Sequence, residues 1–309
     1  MGSKDEYLFD YLDDNARFAD QINGAFFHGE QIVKPEELGE AEHEGIYLGK
    51  DAGKRKNVKT IVDKVRMWKG QKIHILAVEN QNYVDYQMVL RNMLSESIGY
   101  HKQWKQKKRE HERAKDLKGS KDEFLSGIRH DEKFTPIITL VVYYGEKDAW
   151  DGACCLYDLI DVDEQFKKYI TNYQLNIYNC HEHDSFDEYH TDLRQLFEMI
   201  RYSADKKKLQ EIVEKNKEVY SRINGDTREL LEVMADIKIP EKCKVTECGK
   251  ERFNMCKAFE DMKLEGMELH AVELIQKKLA KGKKIEVIAD ELEESTERIC
   301  ELMQQYKLA

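Results

Sequence analysis

Three prolines in 309 residues leave little to interrupt a helix, since proline removes a backbone donor and clashes with the turn before it. Long helices are therefore expected. No run of eighteen apolar residues occurs, which excludes a helical membrane span. The opening MGSKDEYLFDYLDDN is acidic and lacks the apolar stretch of a secretory leader. The seven cysteines are odd in number, two are adjacent, and none forms a CxxC pair. Reduced thiols in a soluble cytoplasmic protein are expected, rather than a disulfide framework. Apolar residues are also scarce, at 41% against 36% charged, which points to a compact core with long solvated helices. The formal net charge of −10 does not exclude nucleic acid, provided that positive charge is clustered somewhere.

Residues 5–28 carry Tyr7, Leu8, Tyr11, Leu12, Phe18, Ile22 and Phe26 at helical spacing. Residues 61–81 read as a hairpin and 84–118 as one long helix. A charged loop over 119–134 follows, then a buried strand, TPIITLVVYYGE, that stops at Gly145. QLNIYNC (174–180) reads as a weaker strand, and nearly everything from Phe186 onward as helix, with breaks at 224–226, at IPEKCKVTECGK and at 281–282. The expected class is α/β of the α+β kind: a mixed sheet flanked by helices, then a helical C-terminal region. The expected division is a core over 1–205, a helical extension over 206–262 and a helical tail over 263–309.

The hairpin VDKVRMWKGQKIHILAVENQ (62–81) raises a chemical question, because its second strand runs out of an apolar stretch onto Glu79 and Gln81. A three-residue loop, Gly70 to Lys72, is a common hairpin length. It would set Met67 opposite Ile75, Val65 opposite Ala77 and Asp63 opposite Glu79. Strand side chains alternate between faces, so Asp63, Glu79 and Gln81 would share one face. Opposed carboxylates repel unless something positive lies between them. A hard divalent cation such as Mg²⁺ (or Mn²⁺) takes two carboxylates, a backbone carbonyl such as that of Asn80, and waters. Gln81 lies one pleat further, within reach of a bound water. Spacing alone does not separate this from a solvated strand end, and a two-residue loop would put Asp63 on the other face.

These residues carry a resemblance. IVDKVRMWKGQKIHILAVENQNYVDYQMVLRNMLSESIGYHKQW resembles the core of the Rpn family of recombination-promoting nucleases, also labelled PD-(D/E)XK nuclease-family putative transposases. NARFADQINGAFFHGEQIVKPEEL resembles its N-terminal block, and FTPIITLVVYYGEKDAWDGACCLYDLI its later strand and YGExxWDG segment. The three blocks run in the expected order from residue 15 to about 160. The resemblance implies a restriction-endonuclease-like core and metal-dependent DNA cleavage. Asp63 matches the motif's aspartate, Glu79 its acidic residue and Gln81 the position of its lysine. Gln81 departs from the general pattern, since an amide hydrogen-bonds a water without offsetting charge. A further acid from the first helix often joins such sites, and Asp14, Asp20, Glu40 and Glu42 are the candidates.

DNA is the expected partner. YHKQWKQKKREHERAKDLK (100–118) holds eight Lys/Arg against three Asp/Glu, and phosphate neutralisation dominates non-specific DNA affinity. Lys102, Lys105, Lys107, Lys108 and Arg109 are the expected contacts. Arg91 has a phosphate or supporting role to set against plain helix packing, and Tyr100 and Gln103 sit at family-like positions. Cys180-His181-Glu182-His183-Asp184 crowds ligands into one stretch, unlike a four-ligand zinc site, and reads as a strand-to-helix turn. Trp150-Asp151-Gly152 reads as a turn with an aromatic anchor. The tail KGKKIEVIADELEESTERICELMQQ (281–305) has a helix-turn-helix rhythm, with Ile285, Ile288, Ala289, Leu292, a Ser295 cap, Ile299 and Leu302. Its second helix is acidic, so it is expected to pack or to self-associate rather than to read a groove. Two readings follow: a metal-dependent DNA endonuclease in recombination, mobile-element or defence context, or a catalytically weak or inactive member of the same fold that binds DNA or protein.

Overall fold

The computed structural model describes residues 7–8, 10–40, 50–51, 54–55, 63–69, 71–78, 84–145, 149–235, 237–247 and 249–308. At 50–51, 54–55, 63–64, 71–78, 250 and 265 the backbone alone is described. The chain divides into two compact units, residues 1–209 with 226–237 and residues 210–225 with 238–309.

The first unit is built on a five-stranded mixed sheet. β1 (Leu38–Glu40), β2 (Asp63–Trp68), β3 (Gln71–Val78), β4 (Ile137–Tyr143) and β5 (Asn176–Asn179) lie side by side in that order. The β1–β2 and β2–β3 pairs are antiparallel, and β3–β4 and β4–β5 are parallel. A parallel neighbour needs a crossover, usually a helix; α2 (Met88–Ala114) lies between β3 and β4 in the chain and supplies it. The interior strand β4, IITLVVY, is buried along nearly its whole length, as a strand covered on both faces must be.

Each face of the sheet carries a helix. α1 (Asn15–Phe27) begins where the expected helix over 5–28 is broken. The chain turns at residues 12–14, and Asp14 caps the new start, accepting from the amides of Ala16 (2.8 Å) and Arg17 (3.1 Å). On β2, Arg66 reaches Asn15 (2.9 Å) and Asp13 (2.7 Å), which places α1 on the Arg66 side. α2 packs on the other side: Val84, Met88 and Val89 share a buried cluster with Val141, Tyr143, Trp150 and Leu175. The Trp150 anchor is as expected, with its indole N–H donating to Gly152 at 2.9 Å. α4 (Leu193–Arg201) buries Leu193, Leu196, Phe197 and Met199. Tyr189 lies so close to α1 that a Cβ at Gly24 would come within 2.5 Å of its ring, so only glycine fits there. Between α2 and β4 the expected charged loop holds a short helix, α3 (Lys121–Ser126).

The second unit departs from the all-helical expectation. β6 (Ile223–Asn224), β7 (Lys244–Glu247) and β8 (Lys250–Phe253) form an antiparallel sheet in the order β6-β8-β7. The stretch KVTECGKERF looks like a helix break because of its glycine. In fact Val245 and Thr246 favour a strand, and Gly249, at φ +75°, turns it back. The tail follows its rhythm: α5 (Met255–Leu279), α6 (Ile285–Leu292) and α7 (Thr296–Gln305) close on Val272, Ile275, Ile288, Ala289, Ile299 and Leu302. Ser295 caps α7 by accepting from the Arg298 amide at 3.1 Å. Among the described residues no helix is long and apolar enough to cross a membrane.

Candidate functional site

The β2–β3 hairpin corrects the expected register. Its turn has two residues, not three: Trp68 pairs with Gln71, and Lys69 takes φ +46°. Two-residue turns with positive φ match the right-handed twist of a hairpin. The Trp68 indole and Lys69 ammonium both hold Glu37, at 2.8 and 3.2 Å, and so fix the turn end. Asp63 therefore stands opposite Leu76 rather than Glu79. Register positions alternate between faces. Asp63 and Leu76 fall in the set continued by Val141, on the α2 side, and Ala77 falls in the other set. Asp63 thus has no carboxylate directly opposite it in the hairpin. A shared end remains: Asp63 is the first residue of β2 and Val78 the last of β3, so the open end of the hairpin brings both to one edge of the sheet. Glu79, Asn80 and Gln81 follow Val78 in the chain and lie outside the described residues.

The four acids set aside for the site meet different fates. Asp14 caps α1. Asp20 is 3% exposed and fully engaged, accepting from the His190 amide (3.0 Å), the Thr191 amide (2.7 Å) and the Thr191 hydroxyl (2.6 Å). Its carboxylate fastens α1 to the segment before α4. Glu40 ends β1, opposite Arg66 in register. Glu42 lies outside the described residues.

α2 is anchored through its first half and charged through its second. Glu96 accepts from the Thr139 hydroxyl at 2.8 Å, and the Tyr100 hydroxyl accepts from the Ile137 amide at 3.1 Å. Gln103 bonds Thr135 in both directions, at 2.7 and 3.0 Å. Tyr100 and Gln103 thus hold the start of β4. Arg91 pairs with Asp85, which also accepts from the Gln87 amide at the start of the helix (2.9 Å). Of the expected DNA contacts, Lys107 is taken up by Glu132 at 2.9 Å, and Lys108 lies over the Trp104 ring, 5.4 Å from its centroid. Lys102 is half-buried, while Lys105 and Arg109 are exposed and form no ion pair among the described residues.

Past this stripe is a cluster that the sequence did not single out. His111, buried at the end of α2, is clamped on both ring nitrogens, by Asp116 at 2.7 Å and Glu132 at 3.0 Å. Lys107 and Arg129 back the two carboxylates, Arg129 reaching Asp116 at 2.6 Å. The hydrogen bonds to Glu132 and Asp116 raise the pKa of His111 above its usual value. Desolvation would raise Glu132, but hydrogen bonds from Lys107 and His111 win and hold it at about 2. Asp116 is lowered, chiefly by its bond to His111. The available signal was a histidine in a basic run with an aspartate five residues on; Glu132 comes from across the loop and leaves no local trace.

The Cys180–Asp184 stretch forms a single turn after β5, as expected. Cys180 is buried, His181 bonds the Gly145 carbonyl, and His183 stacks on Tyr178 with centroids 4.7 Å apart. Among the described residues no group of three His, Cys, Asp or Glu is placed to hold a metal ion. None of the described cysteines is joined in a disulfide.

A family model described as "Putative transposase, YhgA-like" matches residues 55–230. Its span takes in the hairpin, α2, β4, β5 and α4. No curated protein and no solved structure matches the chain.

Proposed function

The chain belongs to the YhgA-like putative transposase family, and from that premise we propose that it is a metal-dependent DNA endonuclease with a restriction-endonuclease-like core. The observation that carries the reading is the order of parts around the sheet. An antiparallel run β1–β2–β3 is followed by the basic α2 and then by β4, parallel to β3. From the open end of the hairpin, where Asp63 begins β2, the chain runs on in sequence through Glu79 and Gln81 to a helix rich in cations.

Asp63, Glu79 and the Asn80 carbonyl would supply hard oxygen donors, the ligand chemistry that suits Mg²⁺ or Mn²⁺. The reading rests on the shared end of the hairpin and not on a shared face. Such an ion supplies an acidified water and charge stabilisation at the scissile phosphate. Gln81 orients the attacking water by hydrogen bonding. Lys105 and Arg109 attract the phosphate backbone, with Lys102 and Lys108 beside them and Arg91 supporting the start of the helix. Recombination, mobile-element activity or defence is the context that fits such an enzyme. The second reading, a weak or inactive member that binds DNA or protein, draws on the neutral Gln81 and on the register of Asp63.

The test incubates supercoiled plasmid with the wild type and with Glu79→Ala, in Mg²⁺, Mn²⁺ or EDTA. Metal-dependent nicking by the wild type alone upholds the endonuclease reading. DNA binding at low salt without cutting by either protein overturns it in favour of the second.

A further inference from the structure

We propose that α3 is an apolar wedge that enters the base stack, so that the protein prefers DNA with unpaired or weakly stacked bases. This rests on the DNA-binding part of the proposed function. Phe124 and Leu125 are 70% and 66% exposed. They sit on a short helix built to stay folded, not on a loose loop. Ser120 caps its start, accepting from the Glu123 amide at 3.1 Å, and Gly127 ends it at φ +77°. The Trp104 indole donates to the Ser126 carbonyl at 3.0 Å, and Glu123 accepts from the His130 amide at 3.0 Å. A Cβ at Gly127 would meet the Lys108 side chain at 2.7 Å, so the end of α3 lies hard against α2.

The neighbouring surface names the occupant. α3 rests on Trp104 and Lys108. Lys105 and Arg109 lie on the next stripe of the same helix, and Arg113 one turn on is also exposed. Lys118 and Lys121 flank the wedge and offset Asp122. A purely apolar partner would have to desolvate these cations, whereas a polyanion with a hydrophobic interior satisfies both surfaces. Nucleic acid is that ligand: phosphates meet the stripe, and exposed Phe or Leu side chains unstack base steps. Unstacking is cheapest where pairing is already lost.

The test compares a fully paired duplex with one carrying a short central bubble, each labelled with 2-aminopurine beside the bubble position. Anisotropy at low salt reads affinity, and 2-aminopurine emission reads unstacking. The wild type is expected to bind the bubble about tenfold more tightly than the duplex and to brighten the probe. In Phe124→Ser/Leu125→Ser that ratio is expected to fall to about one and the brightening to vanish, with unchanged helical circular dichroism showing that the variant is folded. If the folded variant keeps both the preference and the brightening, the wedge is overturned while the DNA reading stands. If the wild type binds neither DNA at low salt, both fall together. Capture of wild type, but not of the variant, on neutral lipid vesicles in place of DNA would also overturn the wedge in favour of a membrane.

Discussion

α1 and α2 cover opposite faces of one sheet and use charge in opposite ways. On α1 the polar side chains point inward and are all partnered. Arg17 grips Asp192 through two bonds of 2.8 Å and also pairs with Asp226, beneath a Tyr11 ring 3.8 Å from its guanidinium carbon. Burial opposes that charge, yet the bonds to Asp192 and Asp226 outweigh it and raise the pKa of Arg17. Asp20, Gln21 and Asn23 are likewise buried and bonded. On the second half of α2, Lys107 and His111 are taken up by Glu132, while Lys105 and Arg109 face water and form no ion pair among the described residues. Charge that is fully partnered fixes a fold, whereas charge left facing water is available to a ligand.

Removing the buried charge should hurt stability most. Arg17→Ala takes the guanidinium from Asp192, to which the Thr227 hydroxyl still donates, and loss of one member of a buried pair costs about 3–5 kcal/mol; urea unfolding monitored by circular dichroism reads it. Asp20→Asn turns an acceptor-only group into one that also donates toward the donors of residues 190 and 191, at a cost of about 1–3 kcal/mol on the same assay. An unchanged midpoint in either variant would erase the contrast with α2.

The His111 cluster lies between these extremes and adds pH dependence. The pKa of His111 is raised, so its contribution is complete below its ordinary value of about 6.5 and is lost as pH climbs through the raised one. Glu132 and Asp116 are lowered, so theirs is complete above the ordinary carboxylate range and is lost as pH falls, toward about 2 for Glu132. The clamp, with Lys107 and Arg129 behind it, is therefore whole in the mildly acidic to neutral window. An NMR titration should find His111 above its usual pKa in the wild type and lower in Glu132→Gln. Equal values in the two proteins would break the assignment.

The exposed stripe should matter least to folding. Lys105→Gln/Arg109→Gln is expected to leave the unfolding midpoint where it is. It should reduce the slope of log affinity for duplex DNA against log salt by about 2, close to one per lost phosphate contact. A falling midpoint with an unchanged slope would assign the two cations to the fold.

Much of this was legible in the sequence where the signal was local. β4 announced itself by its β-branched run, the tail by its apolar rhythm and Ser295 cap, and Trp150 by the turn after it. The hairpin was legible as a hairpin, but its register was not. One residue of loop length moves Asp63 to the other face, and Lys69 gives no glycine-like hint of its positive φ. The three-stranded sheet of the second unit was missed because two of its strands join through a glycine turn inside a stretch that otherwise reads as a break. Asp20 looks like a candidate ligand because an acid's partners across the fold leave no trace in its neighbours, whereas Asp14 takes up local donors, the Ala16 and Arg17 amides, as a helix cap. The basic run was visible, but Lys107's engagement by Glu132 depends on a loop that returns twenty-five residues later.

The parallel pairing of β3 with β4 also sets an order of events in time. β2 and β3 meet through a two-residue turn and can zip as soon as both exist. The other edge of β3 has to wait, because Lys72 finds its partner at Ile137, sixty-five residues further along. At a synthesis rate of about 5–20 residues per second, QKIHILAV spends roughly 3–13 s as an open, apolar strand edge while the whole of α2 and α3 is made. During that interval the newborn chain is most exposed to pairing with the wrong neighbour. The charged helix that follows β3 out of the ribosome is well suited to keep such neighbours apart.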